Sequence, residues 1–98
     1  MYLEIVTPEA VVFRAKVDAV KVPGHDGEFQ MLNNHAPIVS TLTEGEVKIS
    51  LTAGSENEIK RKDQSGFRTE TSEPDVLYYT IKGGVLEMKD NKAIVLAD

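Results

Sequence analysis

The 98-residue chain contains no cysteine and no tryptophan. Without cysteine there is no disulfide framework, no thiolate nucleophile and no sulfur ligand for a metal. With three phenylalanines and three tyrosines as its whole aromatic complement, the chain has little material for the ring platforms that bind peptides or glycans. Long apolar runs are missing too; nothing approaches the roughly 20 residues that a spanning helix needs. The first residues lack the basic segment and apolar stretch of a secretory leader. Positive charge is in short supply: 11 Lys and Arg stand against 16 Asp and Glu, a net charge of −5. That balance argues against nucleic acid or an anionic membrane surface as the main partner. A soluble, cytoplasmic protein without direct membrane insertion is expected.

What is present suits one folded domain. The chain is 41% hydrophobic and 28% charged, a globular balance rather than a disordered one. No segment sustains helical spacing. Short apolar runs alternate with turn residues instead: Tyr2–Thr7, Val11–Ala15, Val17–Val22, Ile38–Leu42, Glu46–Leu51, Val76–Lys82, Val85–Lys89 and Ala93–Leu96 all read as strands. The alternation is cleanest in Glu46–Leu51, where Val47, Ile49 and Leu51 share one face and Glu46, Lys48 and Ser50 the other, the pattern of a half-buried antiparallel strand. Asp90-Asn91-Lys92 reads as a hairpin loop, because Asn91 accepts positive φ. The reading predicts an all-β fold, a two-sheet antiparallel β-sandwich or flattened barrel of about ten short strands. Residues 1–98 form a single domain with a polar insert at 52–75, where Ile59 and Phe67 are the large apolar residues. Two readings of that insert compete, a mobile excursion and a weak hairpin with strands near Glu58–Lys62 and Gly66–Glu70, and the hairpin is the favoured expectation.

The stretch from Val22 to Pro37 organises the chain. It holds both histidines, Pro23, Pro37, Gly24 and Gly27, so the backbone must reverse twice within a short distance. Between the turns, Phe29 and Met31 share a parity and leave one face of a strand. His25, Asp26, Glu28 and His35 include zinc-ligand types, but His25 and Asp26 are neighbours whose side chains usually diverge, and a solvated turn is the plainer reading. The serines lack nucleophile-elbow spacing. Gly83-Gly84 lacks the frame of a phosphate loop. No catalytic residue, cofactor, metal or small-molecule substrate is expected.

Val22-Pro23-Gly24, Gly27-Glu28, Phe29 with Met31, His35-Ala36-Pro37, Ile38-Val39 and Gly45 follow one another in an order and spacing that resemble the N-terminal domain of ATP synthase epsilon subunits. Ile5-Val6-Thr7-Pro8-Glu9 is similar to the family's opening strand and turn. Gly83-Gly84-Val85-Leu86-Glu87 with Ile94-Val95-Leu96-Ala97-Asp98 is similar to its closing hairpin. The chain departs from the family at Asn33-Asn34, often Pro-Gly, and at Gln30, often a small residue. The resemblance implies a non-catalytic central-stalk subunit of a rotary F-type ATP synthase, peripheral to the membrane, coupling the gamma subunit to the c-ring. It implies ring-side contacts at Glu28, Phe29, His35, Ala36 and Pro37, and gamma-side contacts at Thr7, Ser40 and Glu46. The family's C-terminal helical hairpin would begin just after Asp98, so coupling without the inhibition or nucleotide binding that needs those helices is expected. The rival reading is an unrelated β-sandwich module that binds a peptide or glycan.

Overall fold

The computed structural model describes residues 1–52 and 66–98. Nine strands and no helix are present among them: β1 (Tyr2–Val6), β2 (Val11–Gly24), β3 (Gly27–Leu32), β4 (Ile38–Leu42), β5 (Gly45–Leu51), β6 (Phe67–Glu70), β7 (Glu73–Ile81), β8 (Gly84–Lys89) and β9 (Lys92–Ala97). The strands form one continuous sheet in the order β1-β9-β8-β4-β2-β5-β7-β6, with β3 on β2 and β1 also on β2. β2 turns this sheet into a sandwich. Its first half pairs with β1, and its second half pairs with β3 and β5.

The sequence reading divides β2 into two strands, and the structure joins them into one of 14 residues. A register shift between Val17 and Ala19 against β5 explains the break in the pattern. Val17 and Val20 have opposite parity, yet both are fully buried while Asp18 stays exposed. An extra residue at a bulge restores the inward phase and bends the strand, which lets one strand serve both layers. Pro23 ends no strand: it sits opposite Glu28, and its carbonyl accepts the Thr43 N–H at 2.8 Å.

Pairing is antiparallel throughout except that β1 and β9, the first and last strands, run parallel with Tyr2 opposite Lys92 and Val6 opposite Leu96. The sandwich expectation holds with that one correction to its strand directions. Alternation is kept where it was cleanest: Val47, Ile49 and Leu51 point into the core. Leu3, Ile5, Val22, Met31, Leu86, Met88 and Val95 complete its centre, and no polar or charged side chain is buried among the described residues. The β8–β9 loop holds two residues rather than three. Asp90 and Asn91 take φ of 52° and 59°, the left-handed pair that a tight twisted hairpin requires.

Residues 66–75, inside the expected polar insert, carry β6 and the start of β7. β6 pairs with β7, Phe67 opposite Tyr79, so the Gly66–Glu70 strand has found its partner after it in the chain. The Glu58–Lys62 strand and Ile59 lie outside the described residues. Phe67 faces inward, its ring centroid 4.9 Å from Tyr79 and 6.0 Å from Phe13 on the other layer.

Candidate functional site

The β2–β3 hairpin projects His25 and Asp26 into solvent at its tip. Gly27, with φ of 123°, makes the reversal possible. The His25 N–H donates to the Thr41 carbonyl at 2.9 Å, tying the tip to the end of β4. Between hairpin and β4 lies an open groove of about 690 Å³, lined by residues 24–29 and by Val39, Ser40 and Thr41. Its rim carries the Asp26 and Glu28 carboxylates. The Lys21 Nζ lies 3.6 Å from Glu28 Oε1, and both side chains are exposed enough that water screens the pair. Phe29 contributes the groove's phenyl ring, and Val39, which also lines it, is 71% exposed. The groove therefore offers carboxylates and a small apolar floor, suited to a basic or mixed protein loop.

His35, Ala36 and Pro37 lie elsewhere. The antiparallel strand β3 carries the chain about 14 Å from Glu28 to Leu32, and a turn closed by His35 N–H to Leu32 O at 3.2 Å follows. That turn is fastened to the β8–β9 loop, where the Asn34 N–H donates to Asn91 Oδ1 at 2.7 Å. The Met1 ammonium donates to Asn33 Oδ1. His35 Nδ1 is 2.7 Å from its neighbour's carbonyl, that of Ala36, which holds the ring against the turn. Glu28 with Phe29, and His35 with Ala36 and Pro37, thus occupy opposite ends of β3 instead of one patch. The same separation divides the possible metal cluster: His25 and Asp26 are 3.4 Å apart, and no group of three or more ligating side chains converges among the described residues.

The three residues assigned to the other side also separate. Ser40 lines the groove with Glu28. The Thr7 hydroxyl is used in its own turn, meeting the Ala10 N–H and carbonyl, each at 3.3 Å. The next residues, Pro8 and Glu9, line a second cleft of about 340 Å³ with Thr80 and Lys82, and Glu46 is the cross-strand partner of Thr80. Thr7 and Glu46 therefore flank one region, without Ser40.

Sequence reasoning missed the polar network around Glu46. The Arg68 guanidinium donates to both Glu46 oxygens, at 2.9 and 3.0 Å, and also to Glu70. It lies 4.1 Å from the Tyr78 ring centroid, a cation–π stack. The Tyr78 hydroxyl donates to Glu73 Oε1 at 2.6 Å, and Lys48 is 3.5 Å from the other Glu73 oxygen. Arg68 holds the Glu46 carboxyl below its ordinary range, and the Tyr78 hydroxyl does the same for Glu73. Glu73 in turn pushes the Tyr78 phenol up. The network staples the exposed faces of β5, β6 and β7 together. Its signal, alternating opposite charges at Glu46, Lys48, Arg68 and Glu70, was in the sequence, but the register that pairs them was not.

The family model for the ATP synthase delta/epsilon chain, β-sandwich domain, matches residues 1–60. The chain belongs to the ATP synthase epsilon chain family. An epsilon chain of Chlorobium limicola is 34% identical over 96 residues, covering 98% of this chain and 86% of that protein. One from Nitratidesulfovibrio vulgaris is 35% identical over 98 residues, and there the chain spans 58% of the relative's length. Among solved structures, the Euglena gracilis mitochondrial ATP synthase contains a chain that superposes with a TM-score of 0.72 over 97% of this chain and 48% of its own, at 16% identity. The central stalk and c-ring assembly of the Tetrahymena thermophila enzyme gives a TM-score of 0.68 over 99% of this chain and 62% of its own, at 14% identity. At such identities these structures share the fold with this family member.

Proposed function

We propose that this chain is a non-catalytic central-stalk subunit of an F-type ATP synthase, joining the gamma subunit to the c-ring so that ion-driven rotation reaches the catalytic head. Membership of the epsilon family is the observation that carries this reading. The mechanical demand fits the fold: a sandwich whose centre is filled by fully buried aliphatic side chains deforms little under load, because its interior is close-packed. The groove end of the hairpin, with Glu28, Phe29 and Ser40, faces the ring. The His35–Pro37 turn makes a separate contact at the far end of β3. Thr7 and Glu46, beside the second cleft, face gamma. No helix among the described residues is long and apolar enough to cross a membrane, and the subunit works at the membrane's cytoplasmic face through its partners.

The test is isolation of the complex from membranes with this chain tagged, followed by reconstitution without it. Co-purification with a rotary ATPase, and ion pumping that returns when the chain is added back, are expected. Recovery of the chain free of any rotary ATPase refutes the proposal. For the groove, Glu28→Lys lowers affinity for the ring more at low than at high salt, since screening removes exposed charge effects; equal affinity at both salts refutes the assignment.

A further inference from the structure

The groove beside the β2–β3 hairpin is built from strands that do not pair with each other. Residues 24–29 form one wall, and Val39, Ser40 and Thr41 of β4 form the other. β3 pairs with β2 and with no other described strand, while β4 pairs along its whole length with β8. β4 meets β2 at a single position, Gly24 opposite Leu42. Glu28 and Phe29 therefore stand on one pair of strands and Ser40 on another, and neither ladder fixes the distance between the walls. Backbone contacts at the Gly24–Leu42 position supply that link. To one side of it the His25 N–H donates to the Thr41 carbonyl at 2.9 Å, and to the other the Thr43 N–H donates to the Pro23 carbonyl at 2.8 Å. The seam is closely packed. A Cβ at Gly24 would lie 2.7 Å from the Phe29 ring, so Phe29 rests directly on the seam's backbone.

Local geometry frees the His25 N–H for this work. His25 and Asp26 are the two central residues of the turn, and neither has positive φ, whereas Gly27 has φ of 123°. Types II, I′ and II′ each need positive φ at one of the two centres, which leaves a type I turn followed by a left-handed glycine. The closing hydrogen bond of such a turn runs from the fourth residue to the first, so the N–H of the first centre is not used within the hairpin. The imidazole takes no part in the seam. It is 76% exposed and meets Asp26 at 3.4 Å in solvent.

We infer that the backbone N–H of His25 is a positioning group for the c-ring contact: by holding the hairpin tip on β4, it sets Glu28 and Phe29 at the spacing from Val39 and Ser40 that the partner requires. The inference rests on the reading of this groove as the ring-facing surface. Without the tie the groove is complete for a smaller fraction of the time, and apparent affinity falls with that fraction. The experiment measures binding of the full chain to ATP synthase stripped of it. His25→Pro deletes the donor. Proline is favoured at the first centre of a type I turn, and the preceding Gly24 already has the extended backbone that proline requires. His25→Pro lowers affinity about two- to tenfold, the equilibrium weight of one backbone hydrogen bond. An ester in place of the amide at position 25, introduced by semisynthesis, removes the same N–H without the proline ring and gives the same loss. His25→Ala keeps the N–H and binds more tightly than His25→Pro. A double-mutant cycle supplies the readout that a merely structural role would not move: Glu28→Lys costs less affinity in the His25→Pro background than in the unaltered chain, because the carboxylate is already misplaced there. Ester affinity within about twofold of the unaltered chain, equal affinity of His25→Ala and His25→Pro, or an equal cost of Glu28→Lys in both backgrounds overturns the inference and leaves the ring-facing reading standing. If Glu28→Lys costs nothing in the unaltered chain, the ring-facing reading falls and the inference falls with it.

Discussion

Phe67→Ala is the sharpest probe of how far the polar segment belongs to the fold. With Ile59 and Phe67 as its large apolar residues, the segment 52–75 reads along the chain as replaceable by a short glycine turn, since loop-closure entropy changes slowly with length. The structure sets the Phe67 ring against Tyr79 and, across the sandwich, against Phe13, with both ring pairs tilted at 42° and 44°. Removing a fully buried phenylalanine costs about 3–5 kcal/mol, and Phe67 is only partly buried. Half of that loss, with the tilted ring pairs adding about 0.5–1.5 kcal/mol each but sharing the same atoms, gives about 2–3 kcal/mol. For a domain of this size that corresponds to a fall in melting temperature of roughly 10–20 °C. Thermal unfolding followed by far-ultraviolet circular dichroism measures it, with Phe67→Leu as the control that keeps most of the buried volume. A shift under about 3 °C refutes the packing argument, because a loss below about 0.5 kcal/mol is what a surface substitution gives.

The Arg68 network makes stability depend on pH at both extremes. Glu46 and Glu73 have folded-state values depressed below 4.5, so their contribution is present above that pH and is lost as pH falls through the lower folded values. A Glu46→Gln, Glu73→Gln double variant flattens the acid limb of a denaturation-midpoint profile, by a modest amount because the groups are exposed; an unchanged acid limb refutes the assignment. Tyr78 is raised above 10.0, so its share is present below that pH and lost as pH rises through the folded value; in Tyr78→Phe, stability falls less steeply above pH 10. Gly84 has φ of 151°, and an added Cβ would run into the Leu96 carbonyl oxygen of β9. Gly84→Ala therefore destabilises by about 1–3 kcal/mol, read by urea denaturation, and a neutral result refutes that close approach.

Much of the fold was legible along the chain. Side chains alternate with period two on any strand, so Val47, Ile49 and Leu51 declared their inward face without help from a partner. Gly27 and Asn91 declared their turns, because few other residues tolerate positive φ, though only the structure showed that the second loop is the Asp90–Asn91 pair alone. The order of motifs around Gly27, Glu28 and His35 was enough to place the chain in its family. Tertiary structure decided the rest. Periodicity tells which residues share a face, but not which strand lies beside it, and that neighbour is chosen by the whole chain closing on one core. The parallel pairing of β1 with β9 and the bulge that buries both Val17 and Val20 follow from that closure. So does the separation of Glu28 from His35: seven positions of chain read as one lobe, while an extended strand of about 3.4 Å per residue holds its ends apart. The seam between the hairpin and β4 is a further case. Its donors and acceptors are backbone groups, which every residue but proline carries alike, so no side-chain pattern along the chain announces which N–H meets which carbonyl.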